Sequence, residues 1–137
     1  MNFLNMKNKV IKIKLKSIIS PAGNIIKYLS KKDRYFKQFG EIYFNQVKKG
    51  YVKGWNLHKE STCLISVVYG SVEFTTMDYY KKNKKKYVLK SSKPSLLIIP
   101  PKKWFKFKSL DKISMISNLI NKVHSPNETL KLSLNDY

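Results

Sequence analysis

Cysteine occurs once, at Cys63, so the chain can form no internal disulfide, which suits a reducing compartment. Arginine is as scarce: Arg34 is the sole arginine among 28 basic residues. Arginine is favoured where bidentate contacts to phosphate or guanine decide binding, so its scarcity disfavours a nucleic-acid reader. Only two histidines are present, His58 and His124, too few for a metal site that needs about three nitrogen donors. Long apolar runs are missing as well. The N-terminal stretch MNFLNMKNKVIKIKLKSII interrupts each run with Lys or Asn and reads as neither a signal peptide nor a membrane span.

What remains is a lysine-rich chain of 137 residues with only eight acids and a formal net charge of +20, which would attract anionic ligands. Its length fits one domain, residues 1–137, that buries roughly two thirds of its surface. A hydrophobic content of 42% with 13% aromatics is that of a globular protein. These features predict a soluble cytoplasmic protein with no membrane partner. The one dense cluster, KKNKKK at 81–86, lies between two strand-like runs and predicts a solvated hairpin tip.

Apolar–polar alternation dominates the pattern. Ile11, Ile13 and Leu15 alternate with Lys12, Lys14 and Lys16, which predicts a strand with one wet face. SPAGN at 20–24 predicts a turn into a second strand. Residues 30–40 carry a helix signature: Ser30 as cap, Asp33 three residues on, Gly40 as stop. Seven further short runs rich in Val, Ile, Tyr and Phe follow, punctuated by Pro94 and Pro100-Pro101. The expected fold is all-β, a single-domain jelly-roll barrel with one short helix near the N-terminus.

The stretch from Gly50 to Gly70 has an unusual frame. Five residues separate Gly50 from Asn56-Leu57-His58; four more lead to Cys63, and six more to Gly70. This resembles the first cupin motif, Gly, five residues, His-x-His, three or four residues, Glu, six residues, Gly. Pro94, Pro100, Lys102, Phe105 and Ser109 fall on the frame of the second cupin motif. Three of the four ligand positions are changed, to Asn56, Cys63 and Phe105, so the frame implies a barrel without the cupin metal.

The blocks FGEIYFNQVKKGYVKGWNLHKE, VVYGSVEFTTMD, LLIIPPKKWFKF and HSPNETLKL resemble the dTDP-4-dehydrorhamnose 3,5-epimerase family. They also resemble the dTDP-sugar 3,4-ketoisomerases, in which Arg-Gly-aromatic-His-x-His-Lys matches KGWNLHK at 53–59. The resemblance implies a homodimer that takes a dTDP-linked 4-keto-6-deoxyhexose in surface polysaccharide or lipopolysaccharide biosynthesis, with no cofactor. It also implies site positions. The epimerase base falls on Asn56, its Asp partner on or beside Lys122, and its acid on or near Asn118. An amide cannot take a proton near neutral pH, so the epimerase mechanism is damaged. The ketoisomerase reading retains His58 as base, with Tyr43 as acid and Lys53 as the cation that polarises the carbonyl. Asn56, Glu41, Asn118 and Lys122 complete the implied substrate-binding set. Loss of catalysis, leaving a sugar-binding barrel, is the alternative, and a basic nucleic-acid-binding barrel the third.

Strand parity tests these assignments. Asn56 and His58, two apart, share a face and are expected to project into an enclosed sugar pocket. Lys53 and His58, five apart, fall on opposite faces of an ideal strand, and a bulge at Gly54 is needed to unite them.

Overall fold

The computed structural model describes residues 8–137; the first seven, which begin the N-terminal segment discussed above, lie outside the described residues. Twelve strands account for the regular structure. They are β1 (Ile11–Lys14), β2 (Lys16–Ile18), β3 (Ile25–Lys27), β4 (Glu41–Lys48), β5 (Val52–His58) and β6 (Cys63–Tyr69). Then come β7 (Ser71–Met77), β8 (Lys85–Lys90), β9 (Ser95–Ile99), β10 (Trp104–Ser109), β11 (Ile113–Ile120) and β12 (Thr129–Lys131). One sheet runs β1-β9-β6-β11-β4 and another β12-β5-β10-β7-β8, while β2 and β3 form a separate hairpin around the expected SPAGN turn. Of the lysine cluster, residues 81–84 lie in the β7–β8 connection, and Lys85 and Lys86 open β8.

Burial follows the alternation. Along β4 the residues Glu41, Tyr43, Asn45 and Val47 turn inward while Ile42, Phe44 and Gln46 face out. The main core takes residues from both five-stranded sheets: Val47, Cys63, Ile65 and Leu97 from one, Phe74, Leu89, Phe105 and Phe107 from the other. Phe105 and Phe107 lie 6.4 Å apart, and Phe107 is 5.4 Å from Phe74, so a row of rings fills the space between the sheets. Each fully buried phenylalanine contributes about 1.5–3 kcal/mol of transfer free energy. Trp55, Leu57, Met77 and Trp104 form a smaller cluster that packs against Leu130 and Leu132, so both tryptophans serve packing.

The helix expected over residues 30–40 does not form. The polar signature is used for tight turns instead: Asp33 Oδ2 accepts from Ser30 N at 2.7 Å, and Ser30 Oγ accepts from Lys32 N at 3.2 Å. The apolar residues around them decide the conformation. Tyr28, Leu29, Tyr35 and Phe36 pack against Leu64, Leu96, Ile98 and Leu119, and Tyr28 Oη donates to Leu64 O at 2.7 Å. An irregular strap spreads these four side chains over the sheet, which overrides the local helix signal.

The needed bulge is present. Phe105 pairs with Asn56 and Phe107 with Lys53, so two residues of β10 oppose three of β5. Gly54 occupies it with φ +122, and a Cβ there would lie 2.7 Å from both Lys106 Cα and Phe105 O. The bulge restores parity, placing Lys53, Asn56 and His58 on the face that bears Phe105 and Phe107.

Candidate functional site

A cleft of about 400 Å³ lies where β4, an edge of the first sheet, faces β5 and the edge strand β12 of the second. Its lining is Tyr43, Asn56, His58, His124, Pro126, Thr129 and Lys131. The expected pocket enclosed within the barrel is not what the chain builds, because the phenylalanine row occupies that space. A larger groove, about 1430 Å³, runs beside the β2–β3 hairpin, but no imidazole or carboxylate lines it.

His58 is the best-held group in the cleft. It ends β5, is 7% exposed, and stacks 6.2 Å from the Phe105 ring at an interplanar angle of 16°. Its Nδ1 lies 2.8 Å from Glu128 Oε2. Glu128 closes a 3-10 turn, Pro126–Glu128, that begins with the proline and runs directly into β12. The other carboxylate oxygen, Oε1, accepts from the amides of Glu60 at 3.0 Å and Ser61 at 2.8 Å.

Burial alone would raise the Glu128 pKa. The Glu60 amide, the His58 ring and the Ser61 amide outweigh it and hold the group at about 2. Glu128 is therefore ionised at neutral pH and can only accept, so His58 Nδ1 carries the hydrogen. In the neutral form of the ring the lone pair therefore sits on Nε2, the orientation that a general base needs.

Tyr43 projects from the inner face of β4 and receives a hydrogen bond from Asn118 Nδ2 at 2.8 Å. Burial pushes its pKa up to about 12. The phenol thus stays neutral and serves as a hydrogen-bond donor. Lys131 pairs with Asn56 across the β5–β12 ladder and Thr129 with His58, so both share the inner face of the ladder with the two motif positions.

Three of the seven site residues expected from the sequence meet in the cleft: Tyr43, Asn56 and His58. Asn118 reaches it only through Tyr43, and Glu41 through His124, whose amide donates to Glu41 Oε1 at 3.3 Å. Lys53 shares the inner face, but its ammonium donates to Asn45 Oδ1 at 2.6 Å and Gln46 O at 2.7 Å and does not line the cleft. Lys122 forms an exposed ion pair with Glu60 at 2.9 Å. Sequence reasoning missed Glu128, Lys131 and the placement of His124. The signal for Glu128 was present: it is the only acid in HSPNETLKL, six residues past the position to which the resemblance assigned the acidic partner. Among the described residues, no three His, Cys, Asp or Glu side chains gather to hold a metal ion, and no helix is long and apolar enough to cross a membrane.

A family model described as FdtA: WxcM-like, C-terminal matches residues 6–133. The chain belongs to this family. Solved structures agree with the FdtA/WxcM-like assignment. A dTDP sugar isomerase from Desulfovibrio desulfuricans G20 is 26% identical, with a TM-score of 0.86 over 93% of this chain and 85% of that one. A histidine-to-asparagine mutant of QdtA, a 3,4-ketoisomerase from Thermoanaerobacterium thermosaccharolyticum, was solved with TDP-4-keto-6-deoxyglucose. It is 21% identical, with a TM-score of 0.79 over 90% of this chain and 87% of that one. The dTDP-4-dehydrorhamnose 3,5-epimerase of Bacillus anthracis str. Ames, solved with TDP and PPi bound, is 17% identical, with a TM-score of 0.85 over 93% and 80% of the two chains. These likenesses establish the cupin-like fold of the dTDP-sugar epimerase and isomerase superfamily. No curated protein matches the chain.

Proposed function

We propose that this FdtA/WxcM-like protein is a 3,4-ketoisomerase of a dTDP-linked 4-keto-6-deoxyhexose, acting in the cytoplasm on the route to a surface polysaccharide. One observation carries the reading: His58, clamped through Nδ1 by the ionised Glu128, offers its Nε2 lone pair in a cleft that Tyr43 also lines. Isomerisation needs a base for the proton beside the carbonyl and a donor for the enolate oxygen. His58 takes the first role, and the Tyr43 hydroxyl stabilises the oxygen. Lys131 and the net positive charge favour a diphosphate-bearing ligand. Asn56 then acts on a sugar hydroxyl. A histidine-to-asparagine mutant of QdtA was solved with TDP-4-keto-6-deoxyglucose, which supports a sugar-nucleotide ligand for a chain of this fold. Epimerisation is the weaker variant, since it needs proton transfer at two carbons. A homodimer belongs to the proposal, on the family resemblance.

The test is incubation with dTDP-4-keto-6-deoxyglucose in deuterated water. Deuterium entering the sugar ring, abolished in His58→Ala, supports the isomerase. A second reading, a binder that no longer catalyses, is favoured by Asn56, which cannot accept a proton. Thermal stabilisation by dTDP with no deuterium uptake would select it.

A further inference from the structure

The chain contains only two histidines, sixty-six positions apart in sequence, and both line the same cleft. His58 arrives on a strand of the sheet. His124 arrives on the loop between β11 and the 3-10 turn, with its backbone amide fastened to Glu41 Oε1 at the start of β4. This tether acts on the main chain and leaves the His124 ring free to line the cleft, where it is exposed.

Resting on the isomerase reading, we infer that His124 is the second proton carrier of the cleft, acting on the sugar oxygens while His58 acts on carbon. The chemistry explains why two carriers are needed. His58 Nε2 takes the proton from C3; the C–H pair becomes the C3=C4 bond, and the carbonyl π pair moves onto O4. O4 takes a proton from His124, which yields an enediol. The O3–H proton then passes to the now neutral His124, C3=O forms, and the C=C pair takes the proton held by His58 at C4. The sum is a carbonyl moved from C4 to C3, with every proton returned and no oxidant consumed.

Tyr43, the acid expected from the sequence, is poorly suited to this transfer, because burial holds its hydroxyl at a pKa of about 12. It can donate a hydrogen bond, but it releases its proton reluctantly near neutral pH. An imidazole exchanges a proton readily there. The other ionisable groups around His124 are Glu41, Lys131, Tyr43 and the His58–Glu128 pair.

The experiment follows dTDP-4-keto-6-deoxyglucose by NMR in deuterated water with the wild type and His124→Asn. The substitution lies on an exposed loop and preserves the backbone bond to Glu41. The expected result is that deuterium exchange at C3 stays within about threefold of wild type while conversion to the 3-keto sugar falls about a hundredfold, with imidazole added to the buffer restoring part of the conversion. Conversion within about threefold of wild type overturns the inference, as does a parallel fall of exchange and conversion, which marks a binding role. A second measurement uses the two histidine Cε1–H signals during titration with dTDP-glucose. A His58 signal that moves while that of His124 stays fixed overturns the inference and leaves the isomerase reading standing. A wild type that neither exchanges nor converts removes the isomerase reading, and the inference with it.

Discussion

Replacing Glu128 with Gln separates the charge of the anchor from its shape. In the folded chain the carboxylate is held at about 2 against an ordinary value of 4.5. At about 1.4 kcal/mol for each tenfold change in proton affinity, that preference is worth about 3 kcal/mol. The sign follows from the direction of the shift. The unfolded chain binds this proton more readily, so the stabilisation is complete above about pH 4.5 and disappears as pH falls towards about 2. Gln imitates the protonated acid. Urea unfolding is therefore expected to show Glu128→Gln less stable by up to about 3 kcal/mol at neutral pH, with the two proteins converging as pH falls towards about 2. Gln also presents an NH₂ group to His58 Nδ1, which reverses the ring tautomer and occupies Nε2 with hydrogen. Nitrogen-15 NMR would record that reversal. Deuterium exchange into the sugar would fall by a factor of about 10⁴, the scale of tautomer loss in a serine-protease triad. A variant as stable as wild type at neutral pH, with hydrogen still on Nδ1, would refute the account of the anchor.

Three other substitutions or treatments probe the surrounding structure. Tyr43→Phe removes the hydroxyl that accepts from Asn118 Nδ2 at 2.8 Å, and Asn118 is 2% exposed, so denaturation should show a loss of about 1–3 kcal/mol. Gly54→Ala forces a Cβ against Lys106 and Phe105 at φ +122, and is expected to cost more than about 4 kcal/mol, read as insoluble expression or a collapsed melting transition. Cys63 is fully buried, and burial pushes its thiol up to about 12, so a disulfide reagent at about pH 8 should label it only as fast as the protein opens. Labelling that is rapid and independent of denaturant would contradict that burial.

The strands were legible because alternation reports burial directly: Ile11 and Ile13, or Tyr43 and Val47, fall on one face by parity alone. The sequence at 30–40 signals a helix because Ser30 and Asp33 form the same local hydrogen bonds in turns as at a helix start, and only the sheet beneath Tyr35 and Phe36 distinguishes them. The motif spacing put Asn56 and His58 on one face of β5, where both line the cleft, since residues two positions apart on a strand share a face. It could not locate Glu128, because contacts between β5 and the final turn depend on how the chain returns, and a short polar turn carries no periodicity. Lys53 shows the opposite case. The bulge required by parity was present, yet the ammonium found acceptors on β4 before it could reach the cleft.

The partner that fastens His58 arrives seventy residues later in the chain. During synthesis the imidazole therefore emerges long before its anchor, and a product halted ahead of Pro126 carries an unfastened ring. The clamp on His58 is thus held by the 3-10 turn ahead of β12, and a cut before that turn releases the ring while both five-stranded sheets keep all their strands but β12.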